Sequence, residues 1–273
     1  MTAASDEERL AEAYNRGLAA EKAGDLDTAE AAYQEVLRLD PSDHGGVSVR
    51  LASIGRAPDP DRAPDAYIAT LFGQHAASFD DVLVDQLGYR VPQMIAAKLG
   101  EIGHGPFGRV LDLGCGTGLM GVALGDRAGE LVGVDLAEDM LAQADERECY
   151  DQLFIGEAVQ FLLEEETGFD LIAAADVLPY IGDLTALTRA LQPCLNPAAI
   201  VAVSSETLGK DAFDSRGWRV GPRHRYAHSE SYLCQSLQGI GLTLLACDPI
   251  TVRMEDDLPV AGHMVLARNR ASD

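Results

Sequence analysis

Basic residues are scarce in this chain. Its 273 residues hold 21 lysines and arginines against 44 aspartates and glutamates, a formal net charge of −23 at pH 7. That balance favours solubility and repels phosphate backbones and anionic lipid surfaces, so neither nucleic acid nor a membrane is an expected partner. Cysteine is sparse as well. The five present are odd in number and scattered, with neither a disulfide framework nor a zinc-type spacing. This usage suits a reducing, cytoplasmic setting. Tryptophan occurs once, as Trp218. No apolar run approaches the length of a membrane span, and the acidic start of the chain lacks the apolar core of a secretory signal. No cluster of ligand residues with metal spacing stands out, so no metal is expected. The hydrophobic share of 47% is that of a globular protein, long enough for one large domain or two smaller ones.

Against this background one stretch dominates, Arg109-Val110-Leu111-Asp112-Leu113-Gly114-Cys115-Gly116-Thr117-Gly118. The β-branched, apolar lead-in reads as a buried strand. Three glycines at alternate positions then give a tight turn with no side chains in the way. Leu119–Leu124 reads as the helix that follows. Strand, glycine turn and helix in that order place a ligand at the carboxyl end of a parallel strand. A dinucleotide needs Gly-x-Gly-x-x-Gly. That spacing exists at Gly116, Gly118 and Gly121, but it starts late and leaves Gly114 unexplained. S-adenosylmethionine carries no phosphate and needs close backbone approach plus an acceptor for its ammonium, which Asp112 is placed to supply. A second apolar run ends at Asp135, where such folds put the carboxylate that binds ribose hydroxyls. Both ligands want that acid, so it does not choose between them. Its other reading is a cap for the helix at 137–147.

The chain resembles the class I S-adenosylmethionine-dependent methyltransferases. The motifs that carry the resemblance are VLDLGCGTG at 110–118, VGVDLAEDML at 132–141 and FDLIAAADVLPYIGDL at 169–184. They sit within a similarity spanning about residues 65–268. The resemblance implies a Rossmann-like, mostly parallel α/β sheet of seven strands with the last one antiparallel. It implies S-adenosyl-L-methionine as cofactor and S-adenosyl-L-homocysteine as product. Asp112, Gly114, Cys115 and Gly116 would line the methionine end, Asp135 and Leu136 the ribose, and Met140 the adenine face. Glu157 and Ala158 would lie near the adenine amino group, and Asp176 and Val177 would face the methionine. Phe79, in a segment similar to the family's aromatic-Asp stretch, would also approach the cofactor. Met140 and Phe79 read equally well as helix core, and Cys115 as a small filler.

Ahead of this lies a helical segment, residues 1–57. Leu10, Tyr14 and Leu18 recur at helical spacing, Gly24-Asp25 breaks the run, and Asp27 with Glu30 marks a second start. Gly17, Ala29, Tyr33 and Pro41 fit the small, small, aromatic and proline positions of a tetratricopeptide repeat, and residues 44–55 form a candidate capping helix. A single repeat cannot bury its own face, so it packs on the catalytic domain or recruits a protein partner. Pro58 to Pro64 reads as an extended, exposed linker, and residues 65–273 form the catalytic domain.

Beyond Asp135 strands and helices alternate, as in a parallel sheet covered on both faces. The acids at 255–257 read as a solvated turn. The irregular stretch 206–232 follows the fifth strand and holds Arg223, His224, Arg225, Tyr226 and His228. The Arg-Tyr-Ala-His-Ser run resembles a segment of methyltransferases with a tetratricopeptide-like N-terminus and of the Williams–Beuren-region subgroup. This makes His228, Tyr226 and His224 the candidate catalytic residues, a histidine near neutral pKa being able to take a proton from an acceptor. The other reading is a loop tied down by hydrogen bonds. Tyr180 is a further pocket candidate. The expected activity is direct in-line methyl transfer to a small molecule or protein partner. A non-catalytic scaffold and an NAD-dependent dehydrogenase are the rival functions.

Overall fold

A computed structural model describes residues 5–271; the outermost residues of the first and last expected segments lie outside that range. The chain begins with helices α1 (Asp6–Ala23), α2 (Leu26–Leu39) and α3 (Val47–Ser53). A reciprocal cap starts α1: Ser5 Oγ accepts the Glu8 amide at 3.2 Å and the Glu8 carboxylate accepts the Ser5 amide at 2.8 Å. Asp25 opens α2, two residues before the expected start, by accepting the Thr28 amide. The two helices meet where Gly17 lies flat on the Tyr33 ring, since a Cβ there would stand 2.3 Å from Tyr33 Cε1.

Helices α4 (Asp65–His75) and α5 (Val91–Glu101) come next, separated by a tight turn at Ala76–Ser78 and a wide turn at Asp81–Gln86. The sheet strands are β1 (Phe107–Leu113), β2 (Ala128–Asp135), β3 (Gln152–Ile155), β4 (Phe169–Ala174), β5 (Leu195–Glu206), β6 (Trp218–Val220), β7 (Tyr226–His228), β8 (Thr243–Glu255) and β9 (Leu258–Arg268). The intervening helices are α6 (Leu119–Leu124), α7 (Glu138–Asp145), α8 (Ala158–Glu164), α9 (Thr185–Leu191) and α10 (Glu230–Gly239). Strands β3, β2, β1, β4 and β5 run parallel in that order. Beyond β5, β9 pairs antiparallel over Ile200–Glu206 and carries β8 on its far side. The inner strands are buried on both faces, which is why they read as near-continuous apolar runs.

Nine strands replace the seven expected among the described residues. The two extra, β6 and β7, form a hairpin within the stretch read as irregular, and β7 joins the tip of β5 through Glu206 and Ala227. Three residues apiece are too few to show a period.

The linker also departs from expectation. It is pinned to the catalytic domain: Ala63 donates to the Tyr180 carbonyl at 2.9 Å, and Gly182 and Asp183 donate to the Asp61 carbonyl at 2.8 and 2.9 Å. Asp59 accepts the Val220 amide and pairs with Arg216 at 2.7 Å. These carboxylates and carbonyls find donors on β6 and the turn after β4, and that is what composition alone did not reveal. Glu255, expected in a solvated turn, bends inward to Arg253 at 2.8 Å, while Asp256 and Asp257 stay exposed.

The single repeat buries its face on its own chain. Val47 and Leu51 of α3 pack with α1 and α2, whereas Val49 and Ala52 pack against Ala63, Tyr180, Trp218 and Tyr226. Burying each such valine is worth roughly 1.5–3 kcal/mol. Glu21 adds a polar tie. Arg50 reaches it at 3.2 Å and His224 at 2.9 Å, and the Tyr33 hydroxyl donates to it as well. Burial alone would raise this carboxyl, but Tyr33, Arg50 and His224 together hold it below its usual range. Among the described residues no helix is long and apolar enough to cross a membrane.

Because Trp218 is the sole tryptophan and faces α3, its emission reports this contact. Val49→Asp is expected to cost roughly 3–5 kcal/mol, as for an uncompensated buried charge, and to shift Trp218 emission to the red. Urea unfolding followed by fluorescence checks both.

Candidate active site

The carboxyl ends of β1, β2 and β4 open into one cleft holding about 1020 Å³ of empty space, open mouth included. Its floor is the glycine turn. Gly114 (φ 68°) presses on Val177, whose Cγ2 would stand 2.5 Å from a Cβ placed there. Gly116 (φ 54°) has open space where its Cβ would be. The turn is tied to β2, because the amides of Gly114 and Cys115 both donate to the Val134 carbonyl, at 2.8 and 3.0 Å. Gly118 and Gly121 do something else: each lets Tyr150 and its neighbours pack on α6. The spacing that would suit a dinucleotide is therefore used for packing, and only Gly114 and Gly116 of this run line the cleft.

Two acids flank the turn. Asp135 Oδ2 accepts the Gly116 amide and Oδ1 the Ala137 amide, both at 2.9 Å. It thus lines the cleft and ties the turn to the start of α7, combining both sequence readings. Burial raises its pKa, and the two amides pull back against that. Asp112 is 1% exposed. Burial pushes its carboxyl up to about 7, with Asp135 adding to the rise and the Tyr150 hydroxyl, 2.6 Å away, opposing it.

The remaining walls hold Leu136, Glu157, Ala158, Asp176, Val177 and Phe79. Every residue expected at the cofactor is therefore here except Met140. Met140 is fully buried beneath the wall with Ala76 and Ala137, because its face of α7 packs on the segment holding Phe72, Ala76 and Phe79. Glu157 caps α8 by accepting the Gln160 amide and pairs with Arg62 at 3.1 Å. Phe79, Phe72 and Tyr180 form a row of edge-to-face rings, with centroids 5.8 and 5.3 Å apart. The segment between α4 and α5 is clasped to the glycine turn: Thr117 Oγ1 donates to Asp80 at 2.6 Å, and Arg147 pairs with the same carboxylate.

The three residues expected to be catalytic are not in the cleft. His228 is fully buried, with Ser205 Oγ 2.6 Å from Nδ1 and the Gly182 carbonyl 3.0 Å from Nε2. Burial pushes its pKa down to about 4, so it is a neutral, satisfied core histidine. Tyr226 is fully buried against Trp218. His224 faces Glu21 of α1. The hairpin turns Tyr226 and His224 toward the helical segment and holds His228 against β5 and the Gly182 turn. Sequence reasoning missed Arg62, Asp65 and Phe72, which do line the cleft. Arg62 lay in a stretch read as linker, and Phe72 had no motif around it.

The donor set fits a cationic nucleoside. Bare backbone lies at Gly116, the Asp135 carboxylate stands beside it at the end of β2, and a second buried acid, Asp112, lies under the turn. Asp176 adds a buried Oδ1 with no hydrogen-bond partner. Among the described residues there is no cluster that could hold a metal.

Residues 111–201 match the family model described as a methyltransferase domain, and residues 12–43 that of a tetratricopeptide repeat. The ubiquinone biosynthesis O-methyltransferase of Idiomarina loihiensis is 31% identical over 122 residues, 43% of this chain and 48% of that protein. A putative methyltransferase, YqeM, of Bacillus subtilis is 29% identical over 143 residues, 48% and 55% of the two chains. The chain thus spans about half the length of these curated relatives. In structure it is similar to the N-methyltransferase NodS from Bradyrhizobium japonicum in complex with S-adenosyl-L-homocysteine. There the TM-score is 0.58 at 18% identity, covering 74% of this chain and 98% of that one. The putative methyltransferase of a Haloferax volcanii activator complex gives 0.58 at 15%, over 76% and 99%. At these identities the likeness establishes the fold.

The Asp112 shift has a signed consequence. A carboxyl raised in the folded state contributes stability at low pH that is lost as pH climbs toward its folded value. The wild-type urea midpoint is therefore expected to fall relative to Asp112→Asn between about pH 4 and pH 7, as parallel unfolding curves would show.

Proposed function

We propose that this chain, a methyltransferase-domain protein of Rossmann-like fold carrying a tetratricopeptide segment, binds S-adenosyl-L-methionine in the cleft and passes its methyl group to a bound acceptor. The observation that carries the reading is the pairing of Asp112 and Asp135 across a turn whose Gly116 leaves open space. When bound, the cofactor supplies a methyl already activated on a sulfonium.

The chain's own part is to bind, orient and exclude water. Asp135 would accept the ribose hydroxyls while keeping its hold on Gly116 and Ala137. Asp112 would face the ammonium and ionise as that charge arrives. Gly114, Cys115, Leu136, Glu157, Ala158 and Val177 would form the remaining contacts, with Phe79 closing over them. Holding a nucleophile in line about 3 Å from the methyl and keeping the site dry supply most of the acceleration available to such a reaction. The Phe79–Phe72–Tyr180 row and the Asp80–Thr117–Arg147 clasp serve that exclusion. A dehydrogenase is the weaker reading, since α6 is a single short helix and Gly118 and Gly121 are spent on packing. The helical segment is cemented to the catalytic domain, and its outer face remains open to a protein partner.

Titration calorimetry with S-adenosylhomocysteine tests this. Asp135→Ala is expected to weaken binding roughly 100-fold, in line with charge-assisted hydrogen bonds of about 1.5–3 kcal/mol. NAD should not compete. Because a bound ammonium ionises Asp112, affinity should rise with pH toward and through 7, and this slope should vanish in Asp112→Asn. His228→Asn should lower the melting temperature and leave S-adenosylhomocysteine affinity within about 3-fold.

A further inference from the structure

Two buried polar groups in the cleft have no partner. Tyr180 is 6% exposed and its hydroxyl makes no hydrogen bond. The Asp176 side chain is 14% exposed, and its Oδ1 likewise lacks a donor. Both residues line the same wall, just after β4. A buried group left unpaired costs about 1–3 kcal/mol, so such a pair is expected where a ligand completes it.

The other oxygen of Asp176 is held. Arg225 Nη1 lies 3.4 Å from Oδ2 and Arg253 Nη1 3.8 Å from it, and both arginines also reach Glu206, at 3.2 and 2.8 Å. Arg225 also stacks over the Tyr180 ring, 5.4 Å from its centroid. The arginines are thus spent on carboxylates behind the wall. In the cleft wall this leaves one Asp176 carboxylate oxygen and the Tyr180 phenol without partners. Asp65, Asp112, Asp135, Glu157 and Asp176 line the cleft, with Arg62 as the one cation there among the described residues.

We propose that Asp176 and Tyr180 bind the methyl acceptor, and that the acceptor is an amine which arrives as an ammonium ion. This rests on the methyl-transfer reading above and moves Asp176 from the methionine to the acceptor. An ammonium donates to Oδ1 and to the Tyr180 oxygen, satisfying both. A carboxylate acceptor would meet the Asp176 lone pair and is repelled. In the reaction the ammonium gives one proton to Asp176 Oδ1, freeing its lone pair. The nitrogen then forms a bond to the methyl carbon as the carbon–sulfur bond breaks, and that bonding pair stays on sulfur as a neutral thioether. The product leaves as an N-methylammonium, and the proton on Asp176 passes to water.

The test uses the full chain loaded with S-adenosylhomocysteine and ligand-observed NMR titrations of benzylammonium, benzyl alcohol and benzoate. Benzylammonium is expected to bind at least 10-fold more tightly than the other two. Asp176→Asn should remove at least 10-fold of that affinity and Tyr180→Phe about 3-fold, both with S-adenosylhomocysteine binding within 3-fold of wild type. Asparagine tolerates the left-handed backbone of residue 176, φ 64°, so the variant keeps the local fold, and Tyr180→Phe serves as an independent check. No preference for the amine, an indifferent Asp176→Asn, or loss of S-adenosylhomocysteine binding in that variant would each overturn the proposal. A wild-type chain that takes up no S-adenosylhomocysteine would instead overturn the functional reading, and this inference with it.

Discussion

The carboxylate of Asp135 receives two backbone amides from different elements, Gly116 on the glycine turn and Ala137 ahead of α7. The shape of the cleft depends on this junction. It fixes the turn against β2, directs α7 across the sheet, and brings a second acid, Asp112, under the same roof. Two carboxylates kept from water at neighbouring strand ends repel each other and favour their protonated forms. The free site is therefore electrostatically frustrated in one particular sense: it is relieved by positive charge. Acidity at the scale of the whole chain and acidity at the scale of the cleft act in the same direction.

Local geometry was legible in the sequence wherever backbone and charge were both constrained. The glycine turn, the acid ending β2 and the alternation of strands and helices follow from spacing and period alone, and all but one of the residues the sequence grouped at the glycine turn line a single cleft. Met140 failed because a buried thioether on a helix looks the same in sequence whether it touches ligand or core. His228 failed for a related reason. A histidine in a polar, arginine-rich run resembles a base, yet here its ring is satisfied by Ser205 and Gly182 at long range. Such partners, 23 and 46 residues away, leave no local trace. The linker was misread because composition reports solvation, not the carbonyls and amides waiting on another strand.

The hairpin of β6 and β7 explains several of these departures together. It extends the sheet toward the helical segment and supplies Trp218, Tyr226 and His224 as the surface on which that segment sits. Tyr226 and His224, which looked catalytic, are structural because they lie on this side of the hairpin. Arg225 turns the other way, toward Asp176 and the ring of Tyr180. The hairpin thus divides its side chains between holding the two parts of the chain together and shaping the deep end of the cleft.

Helix α3 belongs to two hydrophobic cores at once. Tetratricopeptide arrays lengthen by laying each new helical pair on the exposed side of the preceding one. Here the downstream side is occupied by the sheet's own hairpin, so the stack has a polarity. Any further repeat could be laid only on the upstream flank, at α1, and the superhelix would grow away from the cleft mouth instead of across it.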